Sequence, residues 1–171
     1  MTDAARAEPW LRGTLTEFPA VHRAVLHALQ QAREDLERCC GNLCDAEINA
    51  RPGEVAPVSF HLRHIARSVD RLLTYAEGRQ LSEAQLVALK TELAPGAVSQ
   101  EVFHELRDAL EHAATRVCAF AADQMEFPRT VGRQSLPTTI GGLLVHAAEH
   151  TQRHVGQAIT TAKVVRAARS A

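Results

Sequence analysis

Four long stretches of this chain carry apolar side chains at intervals of three and four residues, and proline, glycine or asparagine separates one stretch from the next. Such a period suits one buried face of an α-helix and suits no strand. The first stretch, Glu17 to Cys40, carries Val21, Val25, Leu26, Leu29 and Leu36, and Gly41-Asn42 offers a cap at its end. The second runs from Val58 to about Ala76 and stops at Gly78, with Pro57 suited to its first turn. The third starts at Ser99, a possible cap, and reaches about Met125 along Leu106, Ala109, Leu110, Ala113, Val117 and Phe120. The fourth is capped by Thr138 or Thr139 and continues to about Ala168. Gly141-Gly142 near its start costs about 1 kcal/mol per residue against Ala, which is tolerable where another backbone passes close by.

The remaining segments are punctuation. Residues 1–14 read as a frayed or short helical lead-in. Residues 44–56, with Asn49, Pro52 and Gly53, read as loop with room for a short turn at Asp45-Ala-Glu47, and Phe127 to Pro137, with Pro128, Gly132 and Pro137, reads as loop. Ser82 to Leu93 reads as one shorter helix, opened by Ser82 and Gln85 in capping-box spacing and broken at Pro95-Gly96. The fold class is therefore all-α: a four-helix bundle with one short extra helix, expected as a single domain over residues 1–171 with its core at about 17–168. Only 4% of the residues are aromatic, so that core must be filled by Leu, Val, Ala and Ile.

Composition narrows the function. The net charge is −1 with His neutral, which gives no electrostatic reason to expect nucleic acid as a partner. Arg153, Lys163, Arg166 and Arg169 are spread along the last helix and read as a solvated face. No run of 18 apolar residues is present, so no membrane span is expected, and the polar start MTDAARAEPW lacks the apolar region of a signal peptide. A cytoplasmic location is expected. In that compartment Cys39, Cys40, Cys44 and Cys118 are thiols, and their spacing is not that of a zinc knuckle.

The nine histidines are the unusual feature. The fourth helix contains His146-Ala-Ala-Glu-His150-Thr-Gln-Arg-His154-Val-Gly-Gln157. A step of four residues advances about 400°, so His150 and His154 stand above one another on one face, where two imidazoles can share a metal ion. A third ligand must come from another helix. The second helix offers His61 and His64, and Ile65, Val69 and Leu72 place His64 beside its apolar stripe. Three imidazoles leave positions open for water or substrate, the arrangement usual for catalysis. His146 lies about 80° round from His154 and reads as a supporting or exposed residue, and His61, a turn before His64, as a rim residue. His22, His27, His104 and His112 read as surface or ordinary core. Glu149 lies about 100° off the ligand face, so no general base is identified.

Two segments carry a family resemblance. Ile48-Asn-Ala-Arg-Pro52 followed by Val58-Ser-Phe-His-Leu-Arg-His64-Ile-Ala-Arg-Ser-Val-Asp-Arg-Leu-Leu73 resembles an Arg-Pro loop leading into a ligand-bearing second helix. Leu144-Val-His-Ala-Ala-Glu-His150-Thr-Gln-Arg-His154-Val-Gly-Gln157 resembles a fourth-helix signature of two His four apart before a Gly-Gln pair. Both are features of the DinB-like superfamily of DNA-damage-inducible and YfiT-like metalloenzymes. The resemblance implies an up-up-down-down bundle, often a homodimer, with one nickel or zinc ion on His64, His150 and His154. It departs in one place: Arg153 precedes His154 and Val155 follows it, so the Arg is expected to point differently from that of many relatives.

The superfamily includes thiol transferases using a low-molecular-weight thiol, maleylpyruvate-isomerase-like enzymes and proteins of other roles, and fold alone does not choose among them. The leading expectation is a metal-dependent enzyme acting on a small molecule, of thiol transferase or hydrolase type. The alternatives are a non-catalytic metal-binding or stress-related module and a metal-free interaction bundle.

Overall fold

The computed structural model describes residues 7–169. Its elements are α1 (Pro9–Arg12), α2 (Ala20–Cys40), α3 (Asp45–Ile48), α4 (Val58–Ala76), α5 (Glu83–Lys90), α6 (Ser99–Cys118), β1 (Pro128–Val131), β2 (Leu136–Thr139) and α7 (Ile140–Arg169). The fold class is all-α. Of the lead-in expected over residues 1–14, the single turn α1 is seen, and residues 1–6 lie outside the described residues.

Local chemistry accounts for most element ends. α2 begins three residues later than Glu17 because Pro19 disfavours helical backbone at Phe18 before it. α4 starts directly after Pro57 and closes with a Schellman motif. Gly78 takes φ +75°, its N–H bonds to the Tyr75 carbonyl, and the Arg79 N–H reaches the Thr74 carbonyl at 3.0 Å. The Ser82–Gln85 capping box is formed on both sides. α5 nonetheless ends at Lys90 rather than Leu93, where the Thr91 hydroxyl bonds back to the Val87 and Ala88 carbonyls. Ser99 is not a cap: it is the first residue of α6, and its hydroxyl donates to the Leu43 carbonyl.

Two expectations fail between α6 and α7. α6 stops at Cys118, not near Met125, because the carbonyls beyond it are taken by other elements: Phe120 O by the His22 Nε2 atom at 2.9 Å and Met125 O by the Gly141 N–H at 2.8 Å. The segment Phe127 to Pro137 is not all loop but contributes to an antiparallel hairpin in which Pro128 faces Thr139 and Val131 faces Leu136. Prolines argue against central strands, but a two-stranded ribbon has two edges and tolerates them. Thr139 then caps α7, its Oγ1 accepting the Gly142 N–H at 3.0 Å. The backbone approach expected at the Gly pair is real at Gly141, where a Cβ atom would stand 3.1 Å from the Met125 carbonyl oxygen.

The four long helices pack in a ring, α2 on α7, α7 on α4, α4 on α6 and α6 on α2. One core cluster includes Val25, Leu29 and Leu36 of α2, Leu62, Ile65 and Val69 of α4, Leu106 and Leu110 of α6, and Leu144, Ala147 and Ala158 of α7. The helix directions correct the up-up-down-down order. Gln152 meets Ala28 and Arg166 meets Asn42, so α2 and α7 run parallel. His61 meets His154 and His64 meets His150, so α4 opposes α7. Arg67 meets Glu105 and Arg116 meets Asp70 and Glu77, so α4 and α6 run parallel. The order is up-down-down-up. Parallel neighbours need a connection that returns the length of the bundle, and residues 77–98, containing α5, supply it.

That return strand is fastened to α4 along its course. Gln85 donates to Asp70 and Thr74, Arg67 to the Ala88 carbonyl and Arg63 to the Ala94 carbonyl. At the same end as the start of α4, Asn49 bonds the Asp45 and Ala97 carbonyls through its amide nitrogen, and its oxygen accepts from Ser59 and the Ala97 N–H. The motif residue Asn49 thus fixes where α4 begins.

The two kinds of helical glycine make opposite predictions. Gly141→Val should lower stability, since its added carbons meet a backbone carbonyl that is itself hydrogen-bonded to Gly141. Gly156, with nothing within 4 Å of its would-be Cβ, should gain up to about 1 kcal/mol on substitution by Ala. Urea unfolding followed by circular dichroism measures both; a stabilising Gly141→Val would contradict the packing described.

Candidate metal centre

The antiparallel pairing of α4 and α7 sets imidazoles on one helix against imidazoles on the other. His64, His150 and His154 each present one ring nitrogen, and those atoms lie within 4.8 Å of one another. The His64 and His150 Nε2 atoms are 2.8 Å apart, and the His64 and His154 ring centres 4.3 Å apart. Nitrogens sharing one ion at 2.0–2.1 Å in tetrahedral geometry sit about 3.3 Å apart, so small adjustments bring this set to that spacing. The His150 Nδ1 atom is buried with no hydrogen-bond partner, an orphan that hydrogen bonding within the protein leaves unexplained.

Each ring's second nitrogen decides which nitrogen can bind. His64 Nδ1 donates to the Glu92 carboxylate at 2.7 Å, which leaves the lone pair on Nε2. The other Glu92 oxygen accepts from Arg71 at 2.7 Å, and Glu92 is only 5% exposed. Burial alone would raise the Glu92 carboxyl, but the hydrogen bonds from His64 and Arg71 outweigh it and hold the group below its ordinary range. A buried carboxylate on the outer nitrogen of a ligand histidine orients the ring and strengthens it as a donor. The corresponding partner of His154 is His61, whose Nδ1 lies 3.0 Å from His154 Nδ1.

Desolvation disfavours the charged form of three of these imidazoles, His61, His150 and His154. It is the largest influence on His61 and His154, both pushed down to about 4, with the neighbouring His64 adding to it. His150 is lowered for the same first reason. Neutral rings are the form that binds a cation. Phe60 covers the cluster, stacked on His64 with ring centres 5.3 Å apart and edge-on to His154 at 6.2 Å.

The structure therefore brings together the three histidines singled out from the sequence. It moves His61 from the expected rim to the interior, 5% exposed. His146 is exposed and pairs with Glu149, which also binds Arg153, so Glu149 faces away from the cluster. Arg153 is exposed and pairs with Glu149, and it shares the lining of an open cavity with His61. His22 is buried against Phe120, His27 meets the Gly13 carbonyl, and His104 pairs with Asp108 at the surface. Glu92 escaped sequence reasoning because it was placed in the tail of α5; only the return path of residues 77–98 carries it to His64. The four cysteines are free.

A bundle with inward histidines from its second and fourth long helices defines a class of helical proteins with a possible histidine metal site. The family profile of the DinB superfamily matches residues 28–158, most of the chain, and the chain belongs to that superfamily. No curated protein matches it closely enough to add a function.

Glu92→Gln removes the carboxylate while keeping the shape. Zinc affinity, measured by competition with a chromophoric chelator, should fall 10–100-fold, in the range seen for such supporting groups. Unchanged affinity would mean that Glu92 serves only the Arg71 ion pair.

Proposed function

We propose that this protein is a metal-dependent enzyme acting on a small molecule, of thiol transferase or hydrolase type, with one nickel or zinc ion on His64, His150 and His154. The observation that carries the reading is the convergence of three imidazoles from two helices, one of them braced by a buried carboxylate. Three nitrogen donors, with no fourth joining the group among the described residues, match an open site better than a structural one.

When bound, a divalent ion there supplies Lewis acidity: it polarises a substrate and eases proton loss from a thiol or water. The rest falls to the chain. Glu92 and Arg71 hold His64 in one orientation, His61 does the same for His154, and Phe60 limits access of bulk water. No described carboxylate other than Glu92 touches the cluster, and Glu92 is committed to His64 and Arg71, so proton transfer in this reading uses solvent or the substrate itself. A low-molecular-weight thiol is the co-substrate of the transferase form.

A cytoplasmic location and a homodimer complete the proposal. Four unpaired thiols support the first. No helix among the described residues is long and apolar enough to cross a membrane. Exposed Leu86, Val87, Leu89 and Leu93 around α5 support the second, as surface that a second copy can cover.

The test is a screen of low-molecular-weight thiols against aryl halide and epoxide electrophiles, and of ester and amide hydrolysis, with and without chelation. Turnover that disappears on chelation, returns with zinc or nickel, and is reduced at least 100-fold in His150→Ala with helical content intact supports the reading. Turnover indifferent to chelation and to His150→Ala would sink it.

A further inference from the structure

Beside the histidine cluster lies a cavity of about 720 Å³ between α7 and the loop before α4. Its wall on the cluster side is His61, which also contacts His154. Across from it α7 presents Arg153, Gly156 and Gln157, and the exposed Val55 and Val164 stand at its edge.

Gly156 is the informative residue. It lies in the interior of the 30-residue α7, where glycine weakens a helix, and it has positive φ in neither role nor need. Unlike Gly141, it has no atom of the chain within 4 Å of where its Cβ would stand. Nothing within the protein requires the missing side chain, yet the missing side chain enlarges the cavity.

The polar groups set the chemistry of an occupant. If His154 binds through Nε2, its proton is on Nδ1 and is donated to His61 Nδ1, so the His61 proton is on Nε2 and is available as a donor. His61 Nε2 has no partner among the described residues. Arg153 commits one nitrogen, Nη2, to Glu149 on the exposed side, and the remainder of its guanidinium fork has no partner among the described residues. Donors on one side and apolar valines at the edge suit an anion with an apolar body.

We infer that this cavity binds a small amphipathic carboxylate, its charge at Arg153 and His61 and its apolar body over Gly156 between Val55 and Val164. The inference rests on the small-molecule reading above and names its substrate class. The carboxylate end is where an Arg fork gives bidentate pairing.

Calorimetric titration of the purified protein with hexanoate, hexan-1-ol and hexylammonium tests it. Hexanoate should bind saturably and at least tenfold more tightly than either other probe. Gly156→Leu should weaken hexanoate at least tenfold, and Arg153→Gln should bring it to the level of hexanol. Circular dichroism of each variant confirms that the helices persist. Equal binding of the three probes, or full hexanoate affinity in Gly156→Leu, overturns the inference. So does binding that vanishes on chelation and ignores both substitutions, which places the carboxylate on the metal. Conversion of a dimer to monomer by Gly156→Leu, read by sedimentation, with hexanoate binding unaltered, assigns the glycine to contact between copies instead. Metal content of the same samples separates the two readings: metal present without hexanoate binding removes this inference alone, and hexanoate binding without metal removes the metalloenzyme alone.

Discussion

The contact of α4 with α7 is the interaction from which the rest follows. Buried Leu62, Ile65 and Val69 on one helix and Leu144, Ala147 and Ala158 on the other belong to the same core cluster, and the imidazoles ride at its margin. Because the helices are antiparallel, a spacing of three residues on α4 and of four on α7 brings His61 to His154 and His64 to His150 in register. A one-residue slip of either helix would rotate these side chains by about 100° and disperse the cluster. The apolar core thus sets the geometry that the polar site uses.

Drawing one buried and three half-buried imidazoles and a buried carboxylate together is costly unless each polar atom is partnered. The structure meets that requirement unevenly. Glu92 is satisfied by His64 and Arg71, and the His61–His154 pair satisfies one nitrogen of each ring. His150 Nδ1 is left alone. Desolvation disfavours the charged form of His61, His150 and His154, and the close ring nitrogens are hydrogen-bonded in pairs, His64 with His150 and His61 with His154. A cation would take the lone pairs that these bonds now use, so the arrangement is understandable as a preorganised receptor.

Much of this was legible in the chain. The 3.6-residue period located all four long helices, Gly78 and Ser82 marked ends that the hydrogen bonds confirm, and the i, i+4 spacing put His150 and His154 on one face. What escaped depends on tertiary structure. The hairpin strands are four residues each and contain Pro128 and Pro137, so they lack a period of their own. The end of α6 is set by bonds to His22 and Gly141, residues distant in the chain. The order of helix directions depends on which end of the bundle each connection reaches, and no local pattern encodes that. Glu92 and His61 acquire their roles only through this topology: Glu92 because residues 77–98 travel back along α4, His61 because its turn of α4 faces His154 rather than solvent.

The most direct test of the account is the metal content of untagged protein purified without added metal, measured by elemental analysis beside the variant carrying His64→Ala, His150→Ala and His154→Ala. About one equivalent of nickel, zinc or a similar divalent ion per chain is expected in the wild type and none in the variant, with both helical. No metal in either protein, together with no thermal shift of the wild type on adding zinc or nickel, would contradict it and leave the histidine cluster as a feature of the core alone.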